Sequence, residues 1–163
     1  MSNWKKLCCA VDFSEPSRFA MEGAVDLARR FQGELTLVHA VVPSAPAASD
    51  VLVSSTGLAD VAAEEQADKL EAWRAEAEQR AGFPVRARTL SGDAAAAIVR
   101  FVKDEDCDLL LIGTRGRGGF RRALLGSVAE RVVRRAECPV LVVSERSGTA
   151  KRVADAEELS QYV

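Results

Sequence analysis

The sequence predicts a doubly wound α/β domain, with five parallel strands in one sheet and helices on both faces. Three observations predict it. Short runs of Val, Leu and Ile alternate with longer segments whose apolar residues recur at helical spacing, giving a repeated strand–helix order. The run Leu109, Leu110, Leu111, Ile112 is apolar without alternation, as a central parallel strand covered on both faces requires. Crossovers between parallel strands are right-handed, so this order of elements packs its helices on the two faces of a single sheet.

The elements follow in order. Leu7 to Val11 is the first strand, and Ser14 is positioned to cap a helix whose first turn tolerates Pro16. Ala20, Ala24, Leu27, Ala28 and Phe31 form one stripe of that helix, which Gly33 closes before a second strand over Glu34–Val41. Residues 43–57, rich in Pro, Ala and Ser, read as a loop with a brief apolar "VLV". Ala63, Ala67, Leu70, Trp73 and Ala77 mark a second helix that stops near Gly82 and Pro84. "PVRARTL" is the third strand, and Ile98, Phe101 and Val102 mark the third helix. "DLLLIG" is the fourth strand. A fourth helix starts near Gly126 with Val128, Ala129, Val132, Val133 and Ala136 facing inward, and "CPVLVVS" is the fifth strand.

The chain of 163 residues is expected to form one domain over 1–144, long enough to bury a core without disulfides or a structural metal. Residues 145–163 form a polar tail with, at most, a short helix. Apolar content of 48% and charged content of 28% exclude a largely disordered chain. No apolar run approaches the ~18 residues of a membrane span, and the first six residues carry no apolar leader, so a cytoplasmic location is expected. Cys8, Cys9, Cys107 and Cys138 lack CxxC spacing and read as reduced, buried thiols. Cys8 and Cys9 are neighbours on a strand and should point to opposite faces. With a single histidine, His39, set in an apolar strand, a transition-metal site is not expected.

Charge is distributed unevenly. Residues 113–135 hold seven arginines and one Glu, leaving the rest of the chain at a net −8. A local positive field on an acidic protein suits one bound anion better than a long polyanion. Its centre is "GTRGRGGFRRALLGS", placed at the carboxyl end of the fourth strand, where sheets of this class bind ligands. The stretch lacks the GxxxxGK[ST] phosphate loop and the GxGxxG dinucleotide fingerprint, and no GxSxG nucleophile motif is present. What it holds is Gly113, two residues, Gly116, nine residues, then Gly126 and Ser127 at a helix start. Gly113 and Gly116 would let backbone N–H groups approach phosphate oxygens. Gly126, Ser127 and Val128 would present free N–H groups at the helix N-terminus, and Arg115 and Arg117 would add charge.

In these features the chain resembles the universal stress protein family, in its ATP-binding subclass. The resemblance runs from about Lys5 to Ser144. It rests on "VDFSE" after the first strand, "LVHAV" in the second, the pattern G-2x-G-9x-G-S and the closing "CPVLVV". It implies a Rossmann-like strand order 3-2-1-4-5 and ATP, ADP or AMP lying across the switch point with Mg²⁺ or Mn²⁺. Asp12 would sit near the ribose or the metal, and Val11 and Val41 would frame the adenine. Gly113, Gly116, Gly126, Ser127 and Val128 would hold phosphate and ribose. Arg115 stands where many relatives carry a different polar residue. Asp12 has a second reading as a turn-stabilising carboxylate, and His39 reads as a packed, hydrogen-bonded strand residue.

The function this implies is an ATP-binding stress-response regulator acting on a protein partner that the sequence does not name. Slow ATP hydrolysis is the most it would catalyse, because no general base is evident. Two alternatives stay open, a nucleotide-free interaction module of the same fold and a nucleic-acid binder using the Arg/Gly loop with Phe120. The resemblance also implies a homodimer paired through the last strand, residues 139–144, which would otherwise be an apolar edge.

Overall fold

The computed structural model describes residues 4–41, 55–114 and 125–144. In chain order the elements are β1 (Lys6–Ala10), α1 (Glu15–Phe31), β2 (Glu34–Val41), α2 (Ser55–Ala81), β3 (Val85–Ser91), α3 (Ala94–Asp104), β4 (Leu109–Gly113), α4 (Ser127–Arg135) and β5 (Val140–Val143). The five strands form one parallel sheet in the order β3-β2-β1-β4-β5. The doubly wound expectation and its strand order both hold.

Alternating side chains of the strands feed two cores. On one face Leu7, Cys9, Leu35, Leu37, Leu109 and Leu111 pack under α1 and α2. On the other, Cys8, Ala10, Val38, Leu110 and Ile112 pack under α3 and α4. Cys8 and Cys9 therefore face opposite ways, as strand geometry demands. All four cysteines are free thiols. The helices meet the sheet through small residues, Ala20, Ala24 and Ala28 on α1 being fully buried, which lets the helix axis lie close to the strands.

Several boundaries differ from expectation for identifiable reasons. The loop expected over 43–57 ends sooner, because α2 already begins at Ser55. Residues 42–54, with the "VLV" turn, lie outside the described residues, as does the tail from 145. Ala63 and Ala67 on α2 are exposed, and the buried stripe starts only at Leu70. Helix α1 is closed by Gln32, not Gly33: Gln32 takes the left-handed conformation (φ 50°, ψ 45°), and the Gly33 N–H reaches the Ala28 carbonyl at 2.9 Å. Gly33 is required for another reason. A Cβ there would stand 2.8 Å from Leu7 Cδ1 and 2.9 Å from the Lys5 carbonyl oxygen, where the start of β2 presses against β1. On α4, Ala129 and Val132 are buried and Val128 is half-buried, but Val133 is 43% exposed and Ala136 lies beyond the helix as its C-cap.

Candidate functional site

Ala10 pairs with Ile112, so the chain leaves β1 through Val11 and Asp12 directly beside the point where it leaves β4 through Gly113 and Thr114. β1 lies between β2 and β4, and strand order reverses across the β1/β4 pair, which opens a crevice at their carboxyl ends.

The β1–α1 turn is held internally. Asp12 Oδ1 accepts from the Ser14 N–H at 3.0 Å and from the Ser14 hydroxyl. Ser14 in turn caps α1, its Oγ accepting from the Ser17 N–H at 3.4 Å. Ser17, 3% exposed, donates its hydroxyl to the Ser14 carbonyl and accepts from the Asp12 N–H. Asp12 thus does the turn-stabilising work of its second reading, while Oδ2 takes no hydrogen bond from the described residues. Val11 is a core residue, 4% exposed, whose N–H donates to the Val38 carbonyl at 2.9 Å.

His39 is a packed strand residue, as expected. Its Nδ1 lies 2.8 Å from the Val11 carbonyl oxygen, a partner that only accepts, so Nδ1 carries the proton. Phe13, held at φ 63°, packs against the His39 ring at a tilt of 41° with centroids 4.4 Å apart and meets Trp73 edge-on at 5.5 Å. Arg18 closes this wall, 4.7 Å over the Trp73 ring and ion-paired to Glu76. Phe13, Arg18 and Trp73 were not singled out by sequence as parts of a site. Phe13 directly follows Asp12, but Trp73 reads as an ordinary helix-stripe residue, and only the tertiary fold brings it to the turn.

On the β4 side, Gly113 is buried with its missing Cβ directed at protein. A Cβ would meet Pro16 C at 2.8 Å, Pro16 O at 2.9 Å and Ser17 N at 2.9 Å. The glycine is thus demanded by the approach of β4 to the first turn of α1. Thr114, which sequence reasoning passed over, joins three elements. Its N–H donates to the Val143 carbonyl at 2.8 Å, and its carbonyl accepts from the Gly126 N–H. That second bond fixes the start of α4 at the carboxyl end of β4. It also means that the Gly126 N–H is engaged, contrary to the expectation that it stands free.

Gly126 is the N-cap of α4 (φ −72°, ψ 157°) and supplies no side-chain hydrogen bond to the helix. Ser127 is exposed and Val128 half-buried in the first turn. Val41 is half-buried at the end of β2, and its carbonyl accepts from the Gly92 N–H at 3.0 Å, leaving a second lone pair. Arg115 and Gly116 lie outside the described residues.

The family model described as the universal stress protein family matches residues 3–144. This chain belongs to the universal stress protein family. It is 34% identical over 142 residues to Universal stress protein MJ0531 of Methanocaldococcus jannaschii, covering 87% of this chain and 83% of the relative. Among solved structures, the universal stress protein UspA from Lactobacillus plantarum matches with a TM-score of 0.76 at 24% identity, over 86% of this chain and 97% of that one. A universal stress protein solved in complex with cAMP matches with a TM-score of 0.61 at 25% identity, over 86% and 97% of the two chains.

Half-buried Asp12 stands at the carboxyl end of β1 beside this crevice, and no group of three or more His, Cys, Asp or Glu side chains among the described residues could hold a metal ion. A hard divalent cation carried in by phosphates fits such a site, because phosphate oxygens and water fill most of its shell and Asp12 Oδ2 can fill one position. No helix among the described residues is long and apolar enough to cross a membrane.

Proposed function

We propose that this universal stress protein binds an adenine nucleotide, ATP or its ADP or AMP counterparts, across the carboxyl ends of β1 and β4, and acts as a nucleotide-dependent regulator within a domain spanning 1–144. The observation that carries this is the start of α4. A helix whose N-cap is a glycine without a side-chain bond presents first-turn N–H groups and the positive end of its dipole, and the Thr114–Gly126 bond holds that end at the switch point. The related protein solved with cAMP supports an adenine nucleotide as the anion.

In this reading the Ser127 and Val128 N–H groups and the Ser127 hydroxyl take the terminal phosphates. Gly113, Arg115, Gly116 and Gly126 line the phosphate path, Val11 and Val41 frame the adenine, and Asp12 reaches the ribose or the cation. Mg²⁺ or Mn²⁺ would neutralise phosphate charge. Positioned donors without a general base give at most slow hydrolysis, so occupancy rather than turnover is the signal read by a protein partner in the cytoplasm. β5 is an edge strand that exposes Leu141, 42% accessible, and we assign it to pairing between two copies through residues 139–144.

Denaturing the purified protein and chromatographing the supernatant is expected to release adenine nucleotide, and calorimetry of nucleotide-free protein to give saturable ATP binding. Absence of both would overturn the reading. Sedimentation at micromolar concentration is expected to show a dimer.

A further inference from the structure

The backbone between Asp12 and Ser14 takes a conformation that its middle residue does not favour. Phe13 has φ 63°, in the left-handed region where a Cβ crowds the carbonyl oxygen and a large side chain is seldom found. Hydrogen bonds on either side close a tight turn around it. The Asp12 N–H donates to Ser17 Oγ at 3.3 Å, and Asp12 Oδ1 accepts from the Ser14 N–H at 3.0 Å, so the chain turns through Phe13 while Asp12 Oδ2 has no partner among the described residues. Glycine would adopt this conformation without steric cost, yet the residue here is aromatic.

A strained backbone persists only where its surroundings over-determine it, and here the Phe13 ring is gripped from two sides. It packs on the His39 ring at 4.4 Å and meets the Trp73 ring at 5.5 Å. Each partner is itself fixed. The His39 Nδ1–H donates to the Val11 carbonyl at 2.8 Å, one residue before Asp12. The Arg18 guanidinium lies 4.7 Å over the Trp73 ring and is ion-paired to Glu76, so α1 and α2 hold Trp73 between them. Four segments therefore converge on one side chain: the β1–α1 turn, β2, α1 and α2. Trp73 stands where α2 passes from the largely exposed stretch 61–69 to the buried stripe that starts at Leu70.

We propose that Phe13 is a positioning residue of the nucleotide site and that Trp73 acts through it, an inference that rests on the nucleotide-binding reading given above. The grip of His39 and Trp73 on the ring holds the left-handed turn. The turn in turn sets Asp12, with Oδ1 committed to Ser14 and Oδ2 left for the ribose or the cation. Docking of α2 and binding of the nucleotide are then linked, and linkage is reciprocal: loss of the Trp73 ring weakens ATP binding, and ATP strengthens the docking of α2 at Trp73. Simple packing makes a different claim. If Phe13 only filled apolar space, Ala would replace it at least as well as Gly. If its work is to hold a positive φ, Gly is the better substitute, because it needs nothing to hold it there.

Calorimetric titration of the full chain with ATP and Mg²⁺ tests this. Phe13→Ala, which keeps the strain and loses the grip, is expected to weaken ATP binding about tenfold, and Phe13→Gly to recover most of that loss. Trp73→Ala is expected to weaken binding in the wild-type background and to change nothing further in Phe13→Gly, where no ring is left to grip. Asp108→Ala, which loses stability at the amino edge of the sheet, should keep wild-type affinity, separating a positioning role from loss of stability. Hydrogen exchange of the wild type decides the matter whether or not the variants fold: ATP should slow exchange in the α2 segment 70–77. A wild type that binds no ATP overturns the nucleotide reading and this inference with it. A wild type that binds ATP overturns this inference alone if Phe13→Gly binds no better than Phe13→Ala, if Trp73→Ala matches wild-type affinity, or if ATP leaves α2 exchange unchanged.

Discussion

The two edges of the sheet are built on the same strands and finished in opposite ways. At the amino edge, side chains close off the backbone. Asp108 Oδ2 accepts from the backbone N–H groups of Lys5 and Lys6 at 2.8 Å each, and the Lys5 and Lys6 ammonium groups donate to carbonyls at the C-terminal ends of α1 and α3. At the carboxyl edge, α1 and α3 are capped by Ser14 and Asp93, but α4 begins on a glycine. Every described helix start except that of α4 whose cap is described carries its own acceptor, so the edge is polar but selectively unfinished. The difference teaches that parallel strands and crossover helices do not by themselves make a ligand site. We place the proposed site where one described helix start, that of α4, carries no side-chain cap of its own.

The largest effects should come from the glycines that let each edge close. Gly113→Ala is expected to cost about 3 kcal/mol, since its Cβ would meet only backbone atoms, which cannot move aside. Gly33→Ala should cost somewhat less, about 2 kcal/mol, because one of its three nearest neighbours is the tip of the Leu7 side chain, the other two being the Lys5 and Trp4 carbonyl oxygens. Urea unfolding measures both, and equal or negligible losses would show that the carboxyl edge is packed no more tightly than the amino edge.

The two aspartates come next. Asp108→Ala removes the acceptor of two backbone N–H groups and should cost about 1–3 kcal/mol while leaving ATP affinity unchanged. Asp12→Ala should cost about 1 kcal/mol through the Ser14 turn and should also weaken ATP binding. If both substitutions affected ATP equally, the functional division between the edges would fail.

The smallest effect concerns pH. Asp93 accepts from the Ala96 N–H at 3.0 Å and pairs with Arg131 at 2.9 Å, the first and second causes of a carboxyl pKa held below its usual value. A depressed folded-state pKa contributes stability above the unfolded value of about 3.9, and that contribution is lost as pH falls through the folded value. Asp93→Asn keeps a capping oxygen but not the charge. The wild type should therefore be slightly more stable near neutrality, and the gap measured by thermal unfolding should close below about pH 4. A gap that widens in acid would contradict the assignment.

Much of the fold was legible because its signals are local. The unbroken Leu109–Ile112 run, the Ser14 cap with Pro16, and the spacing of Ala20, Ala24 and Ala28 each carry their own explanation. The start of α2 at Ser55 was not legible, because an Ala- and Ser-rich stretch with no apolar stripe looks like a loop. Gln32 in the left-handed position escaped notice because the adjacent Gly33 is the usual signal, and that glycine is needed instead for close approach to β1. Of the candidate site, the start of α4 at Gly126 and Ser127 was legible, but the approach of β4 to α1 that Gly113 allows, and the Thr114 carbonyl that takes the Gly126 N–H, were not. Thr114 bridging β5 and α4 and Trp73 beside Phe13 depend on pairings remote in sequence, which no local pattern encodes.

The comparison between the edges is tested most directly by Ser127→Glu. Ser127 is exposed at the first position of α4, where a carboxylate favours the helix dipole and should leave thermal stability unchanged or slightly raised. The same charge occupies the place assigned to the terminal phosphates. Calorimetric titration with ATP should show saturable binding to the wild type and none to the folded variant, whereas equal affinity in the two would contradict nucleotide binding at the start of α4.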